Sequence, residues 1–330
     1  MNATVVPATA DAIERAAAAL ARGSLVAFPT ETVYGLGADA ANPDAVRAIF
    51  SAKGRPADHP LIVHLPDASH LDAWARGVPD GARALAQTFW PGPLTLILPR
   101  TPLAGDAVTG GQDTVGLRVP AHPVAQALLA AFAARGGHGV AAPSANRYGH
   151  VSPTTAAHVA DDLGGRVAMI LDGGACAVGI ESTIVAFDGD LPLLLRPGGV
   201  SVDAIARVLG QAPEAGTAGA PRASGSHASH YAPRTAAFLV DARALPTELL
   251  RLRERDEAVA VLARGVARPD DFEGRWIAAP PDDEGYARDL YANLRALDAA
   301  QADAILIEAP PGDAAWTAVR DRLARATHRD

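Results

Sequence analysis

Short apolar runs, each closed by glycine, proline or a hydroxyl-bearing residue, alternate along this chain with alanine- and leucine-rich stretches of helical length. That alternation is the strongest constraint on the fold. Runs at 25–28, 61–63, 94–98, 140–142 and 167–172 are too short for helices and are expected to be strands. Between them, 11–22, 43–52 and 80–90 read as helices. Elements in this order pack into a layered α/β architecture. Local signals sharpen the ends: Gly23 can close the first helix, and Asn42-Pro43 gives the second an N-cap and a first-turn proline. The second helix should therefore deliver Lys53 at its C-terminal end.

A second, smaller α/β unit is expected further on. Runs at 237–240, 259–262, 276–279 and 304–307 alternate with helices at 246–254, 286–300 and 314–326, without a glycine-rich phosphate fingerprint. Between the two units Ala, Gly, Ser, Pro and His dominate, which is linker chemistry. The expected division is a domain over 1–209, a linker over 210–235 and a domain over 236–330. With 330 residues and 49% hydrophobic content, both domains can bury a core. Charge does not divide their labour: 1–209 carries 14 basic and 18 acidic side chains, and 210–330 carries 15 and 19. The resulting net charge of -8 argues against a broad nucleic-acid-coating surface. A lone Cys176 excludes an intrachain disulfide and a cysteine-rich zinc cluster, and suits a reducing compartment. The N-terminus lacks a basic-then-apolar leader pattern and no apolar run approaches a membrane span, so a soluble, cytoplasmic protein is expected.

Lys53 is the only lysine among 29 basic residues. In a chain that otherwise uses arginine, a lysine two residues from Arg55 and ahead of Gly/Pro loop chemistry reads as a wanted ammonium point charge. Cations where a loop enters a strand suit an anionic ligand such as a phosphate chain, and His59 and His64 flank that strand. The stretch Pro29-Thr30-Glu31-Thr32-Val33-Tyr34-Gly35-Leu36-Gly37 follows a strand directly. It is either a turn needing positive φ at glycine or a loop that lets backbone and hydroxyls approach a ligand. Residues 113–120 alternate as a strand would, with Thr114, Gly116 and Arg118 on one face. Arg118 is then either a recessed cation or half of a surface ion pair. Ser144 and Asn146 follow a buried strand, at the kind of strand end where α/β sheets collect ligands. Ser152 can serve as a helix cap, and Arg196 again ends a strand. Tyr231 is either an adhesive ring on a flexible arm or a ring tacked onto the surface.

Taken in order, Phe28-Pro29-Thr30-Glu31-Thr32-Val33-Tyr34-Gly35-Leu36-Gly37, Lys53-Gly54-Arg55-Pro56, His59-Pro60-Leu61-Ile62-Val63-His64, Trp90-Pro91-Gly92-Pro93-Leu94-Thr95, Pro143-Ser144-Ala145-Asn146 and Glu181-Ser182-Thr183 resemble the motifs of the threonylcarbamoyl-AMP synthase family. The linker ending in His230-Tyr231-Ala232-Pro233 and the α/β tail make the chain similar to the longer, two-domain branch. The resemblance implies a YrdC-like twisted open α/β sheet with a concave basic groove, an interdomain loop and a smaller Rossmann-like C-terminal domain.

It also implies a nucleotidyltransferase reaction in which L-threonine, bicarbonate or CO2, and ATP with Mg2+ give threonylcarbamoyl-AMP and pyrophosphate. The product would feed the tRNA threonylcarbamoyl transferase machinery. By the family pattern Lys53 and Arg55 are the catalytic pair. Lys53, Arg55, His59, Thr114, Ser144, Asn146, Ser152, Arg196 and Tyr231 would contact ATP. Thr32, His64, Arg118, Ala142 through its backbone, and Ser182 would form the threonine pocket, with Arg118 on the carboxylate. No residue is implied as a metal ligand. Two rival functions fare worse. Double-stranded RNA binding through a basic groove is disfavoured by the net acidity and the 5% aromatic content. A carbamoyl-adenylate enzyme of the hydrogenase-maturation type needs paired-cysteine zinc modules that one cysteine cannot supply.

Overall fold

The computed structural model describes residues 4–216, 219–225 and 231–328. They form two compact units, one of residues 4–148, 153–177 and 181–225, the other of 149–152, 178–180 and 231–328. In the first unit β1 (Thr4–Pro7), α1 (Ala10–Ala21), β2 (Val26–Phe28), β3 (Gly35–Asp39), α2 (Pro43–Lys53) and β4 (Ile62–His64) come first. Next are α3 (Leu71–Trp74), α4 (Asp80–Phe89), β5 (Leu94–Pro99), α5 (Asp106–Thr109), β6 (Thr114–Arg118), α6 (Pro123–Ala133) and β7 (Val140–Ala141). The unit is completed by α7 (Ala156–Leu163), β8 (Met169–Asp172), β9 (Thr183–Asp188), β10 (Leu191–Arg196), α8 (Val202–Leu209) and β11 (Glu214–Ala215).

These strands make one mixed sheet in the order β1-β8-β2-β3-β7-β4-β6-β5-β9-β10-β11. Successive residues of a strand point to opposite faces, and in central strands such as β2, β5 and β7 both faces are buried. Val26, Phe28, Val140 and Ala142 enter a core with Leu20, Leu129 and Phe132, while Ala27 and Ala141 enter the other with Tyr34, Ile49 and Trp74. Double burial explains why the strands read as unbroken apolar runs. At the centre of the sheet β4 lies between β7 and β6, so that His64 stands opposite both Val140 and Arg118.

Asn42 and Gly54 bound α2 as cap and stop. The Asn42 side chain accepts from the backbone N–H of Asp44 and Ala45, and Gly54 ends the helix at φ 67°. Other local readings need correction. Gly35 and Gly37 lie in β3, and neither is among the positive-φ glycines. A Cβ on Gly37 would come within 2.8 Å of the Phe28 ring and 2.9 Å of Val140, so glycine there permits close strand approach. Ser152 does not cap α7; Thr155 does, its hydroxyl accepting from His158 N–H at 3.3 Å. The 210–235 span is more than a linker. Glu214 and Ala215 form β11 beside β10, and the 219–225 segment is hydrogen-bonded to the first unit at Gly110, Gln112 and Pro60. Ser229 and His230 lie outside the described residues.

The second unit contains β12 (Ala236–Val240), α9 (Leu245–Arg253), β13 (Val259–Ala263), β14 (Trp276–Ala278), α10 (Asp283–Asp298), β15 (Ala304–Glu308) and α11 (Thr317–Ala326). Its sheet is wholly parallel, in the order β12-β15-β13-β14. Leu249, Val261, Phe272 and Leu306 sit in its core. At the end of β15 the buried Glu308 carboxylate accepts the consecutive N–H groups of Arg264, Gly265 and Val266 at 2.7, 2.8 and 3.0 Å. Among the described residues no helix is long and apolar enough to cross a membrane.

Candidate active site

Helix α2 drives the single lysine into the first unit. Lys53 is its last residue, only 4% exposed, and its ammonium donates to Ser144 O at 2.6 Å, Asn146 O at 2.5 Å and Asn146 Oδ1 at 3.3 Å. The expected loop partners, Ser144 and Asn146, are thus gathered by Lys53 itself. Burial first, then the Arg55 charge, pushes Lys53 well below its ordinary pKa, and the Asp162 charge opposes that push. Asn146 is held from its other end, donating through Nδ2 to Arg147 O at 2.9 Å. The Lys53 carbonyl accepts from Tyr148 N–H, and the Tyr148 ring lies 5.6 Å from that of His59.

Arg55 and Arg196 meet on the 219–225 segment. Arg55 donates to Pro60 O at 3.0 Å and to the Ser224 hydroxyl at 3.4 Å, and Arg196 donates to Ser224 O at 2.8 Å. Arg196 also grips Ser182, reaching its carbonyl from Nε and Nη2 at 3.1 and 2.9 Å and its hydroxyl at 3.2 Å. The Ser182 hydroxyl is 2.7 Å from that of Thr95 on β5. A residue expected on ATP and one expected on threonine are therefore directly bonded.

The second half of the site centres on Arg118, at the end of β6. Its Nη2 donates to Glu31 Oε1 at 2.7 Å and its Nε to Gly92 O at 3.3 Å. The side chains of Arg118 and Glu31 are 5% and 10% exposed, so the ion pair is buried rather than superficial. Beside it, burial and the Arg118 charge hold the His64 imidazole down at about 3, neutral at ordinary pH. His64 Nδ1 is buried without a well-formed partner among the described residues. Thr32 is fully buried, its hydroxyl 2.8 Å from that of Thr30, and Ala142 donates its N–H to Ile62 O at 3.0 Å. The buried Cys176 thiol is pushed up to about 12, by burial first and then by the Glu31 charge.

Thr114 opens β6 opposite Pro99, roughly 13 Å along the strand from Arg118 at the usual rise per residue. Ser152 and Tyr231 belong to the second unit. There Tyr231 is buried at φ 61°, its ring 5.6 Å from that of Tyr291 and 5.4 Å from the Arg322 guanidinium. The Ser152 carbonyl accepts from Arg295 at 3.4 Å. Sequence reasoning assigns no role to Glu31, Ser224, Thr95 or Gln112. Of these only Glu31 carries a signal, a carboxylate between two threonines directly after a strand. Among the described residues no group of three or more His, Cys, Asp or Glu side chains could hold a metal ion.

A family model described as "Telomere recombination", for Sua5, YciO and YrdC proteins, matches residues 18–198. A second, "Threonylcarbamoyl-AMP synthase, C-terminal domain", matches residues 200–327. The threonylcarbamoyl-AMP synthase of Pyrococcus abyssi is 39% identical over 328 residues, covering 96% of this chain and 94% of that protein. The Bacillus subtilis enzyme of that name is 42% identical over 327 residues, covering 95% and 92%. A crystal structure of P. abyssi Sua5 complexed with L-threonine superposes with a TM-score of 0.90 at 36% identity, covering 99% of this chain and 97% of that one. With both of its units matched and its sequence aligned almost end to end with these relatives, the chain belongs to the threonylcarbamoyl-AMP synthase family.

Proposed function

We propose that this chain is an L-threonylcarbamoyladenylate synthase, which condenses L-threonine, bicarbonate or CO2, and ATP into threonylcarbamoyl-AMP and pyrophosphate. The observation that carries the reading is that Arg196, which meets Arg55 on Ser224, also holds Ser182, so that a residue expected on the nucleotide and one expected on threonine are directly bonded. The chemistry requires such a junction. The threonine amine must first add to CO2 as a carbamate, and a carbamate oxygen must then attack the α-phosphorus of ATP while pyrophosphate departs. Both partners are anionic, so catalysis consists of positioning and of cationic charge over the phosphates, without a covalent enzyme intermediate.

In this scheme ATP enters as its magnesium complex. Lys53 and Arg55 act on the phosphates, with Ser144, Asn146, Arg196, His59, Thr114, Ser152 and Tyr231 as further nucleotide contacts. Arg118 takes the threonine carboxylate, and Thr32, His64, Ala142 and Ser182 complete the pocket. A neutral His64 with a spare ring nitrogen suits the substrate hydroxyl better than a second cation would. The P. abyssi protein crystallised with L-threonine supports that substrate. The product would pass in the cytoplasm to the enzymes that build threonylcarbamoyladenosine in tRNA.

The test is mass spectrometry of a reaction supplied with 13C-bicarbonate. An adenylate carrying both threonine and one 13C is expected. ATP converted to AMP and pyrophosphate with no labelled adduct, even after rapid quenching, would refute the proposal.

A further inference from the structure

Glu31 is 8% exposed, and both of its oxygens are engaged: Oε1 accepts from Arg118 Nη2 at 2.7 Å and Oε2 from Ala121 N–H at 3.0 Å. With Arg118 Nε on Gly92 O, two of the three guanidinium nitrogens are fixed by the protein. Nη1 is the donor left without a bond to any described residue. The pair is electrically neutral as a unit, and the adjacent His64 adds no charge to it.

That neutrality matters because of what the proposed reaction contains. A buried, unpaired guanidinium attracts any small anion, since Coulomb attraction strengthens as the dielectric falls. Bicarbonate, which the reaction consumes, phosphate and chloride all qualify. Paired with Glu31, Arg118 instead offers a directed hydrogen bond with little net charge. A carboxylate must then draw the rest of its affinity from contacts elsewhere on the same ligand, and a free ion has no such contacts.

We propose that Glu31 is a specificity-determining residue, which holds Arg118 in place and cancels its charge so that the carboxylate of an amino acid is accepted there and free inorganic anions are not. The inference rests on the reading in which Arg118 binds the threonine carboxylate. It requires no contact between Glu31 and substrate.

Glu31→Gln keeps the volume and an acceptor oxygen but removes the charge. Threonine binding is measured by calorimetry at constant ionic strength, with gluconate exchanged for chloride. Wild type and Glu31→Asp should change little, whereas the apparent affinity of Glu31→Gln should fall roughly tenfold in chloride, an effect of about 1.4 kcal/mol. Equal affinities of Glu31→Gln in the two salts would overturn the inference, because loss of structure alone would weaken binding in both. If threonine binds neither wild type nor variant, the functional reading has failed. Chloride NMR line widths then decide: broadening by Glu31→Gln that disappears in Glu31→Gln/Arg118→Ala supports the inference, and widths equal to the wild type's overturn it. Should Glu31→Gln not fold, Glu31→Ala leaves room for an ion, and its melting temperature must be higher in chloride than in gluconate or the inference fails.

Discussion

Replacing Lys53 by methionine keeps an unbranched side chain one atom shorter and removes all of its donors. In the structure those donors go to Ser144 O, Asn146 O and Asn146 Oδ1, the first two at 2.6 and 2.5 Å, the third at a weaker 3.3 Å. Each buried carbonyl left without a donor costs about 1–3 kcal/mol, and two are exposed to that loss. Against it stands the desolvation of a buried ammonium, several kcal/mol that methionine is spared. The carbonyl losses, about 2–6 kcal/mol together, are offset in part by that saving, so a net destabilisation is expected, with the 144–146 loop released. Turnover should fall roughly 10²- to 10³-fold, the scale for losing a preorganised charge stabiliser. Lys53→Arg should not rescue it, since a planar fork cannot place three donors on one converging set of oxygens. Urea unfolding and pyrophosphate release on the same preparations measure both effects. A Lys53→Met protein as stable and as active as wild type would refute the reasoning. Wild-type stability with lost turnover would show that the ammonium serves the nucleotide without holding the loop.

Arg118→Ala should weaken threonine binding by about 1.5–3 kcal/mol, the range for a hydrogen bond to a charged group, with the ATP KM little changed; the opposite pattern in steady-state kinetics would reverse the pocket assignment. Gly37→Ala should cost about 1–3 kcal/mol, because its methyl would meet the Phe28 ring at 2.8 Å and Val140 at 2.9 Å, and an unchanged unfolding midpoint would count against that packing. His64 gives a pH signature. Its folded pKa of about 3 lies below the ordinary value of 6.5, so in that window the unfolded chain binds the proton that the native state refuses. Stability should therefore be lost as pH falls from 6.5 toward 3, by at most about 1.4 kcal/mol per pH unit from this group, and His64→Gln should flatten the slope. A slope unaltered in His64→Gln would show that the ring is not buried neutral.

Features that depend on neighbours along the chain are legible in the sequence. Asn42-Pro43 and Gly54 set the ends of α2 through their own backbone and side-chain chemistry, and so place Lys53 at a helix terminus. Burial of both faces writes β2, β5 and β7 as apolar runs that pattern alone can find. What depends on distant partners is not legible. The Thr30-Glu31-Thr32 turn gives no sign that Glu31 pairs with Arg118, because that distance is set by the sheet order rather than by the chain. For the same reason strand alternation cannot decide between a recessed cation and a surface pair at Arg118, which is in fact a recessed pair. Gly35 and Gly37 are ambiguous because a glycine needed for close strand approach looks like a glycine needed for a turn. The small-residue stretch after 210 suggests a linker, yet Ser224 and Arg222 are tied to Pro60, Gly110 and Gln112 by bonds to partners more than a hundred residues away, which composition does not reveal. Ser152 is a plausible cap by type, but Thr155 stands at the position where the helix starts.

The most direct test of the proposed reaction is pyrophosphate release by the purified protein with MgATP, bicarbonate and L-threonine, omitting one component at a time and repeating with L-serine. Release that requires threonine and bicarbonate together, and falls when serine replaces threonine, is the expected result. Pyrophosphate formed at the same rate without threonine would contradict it.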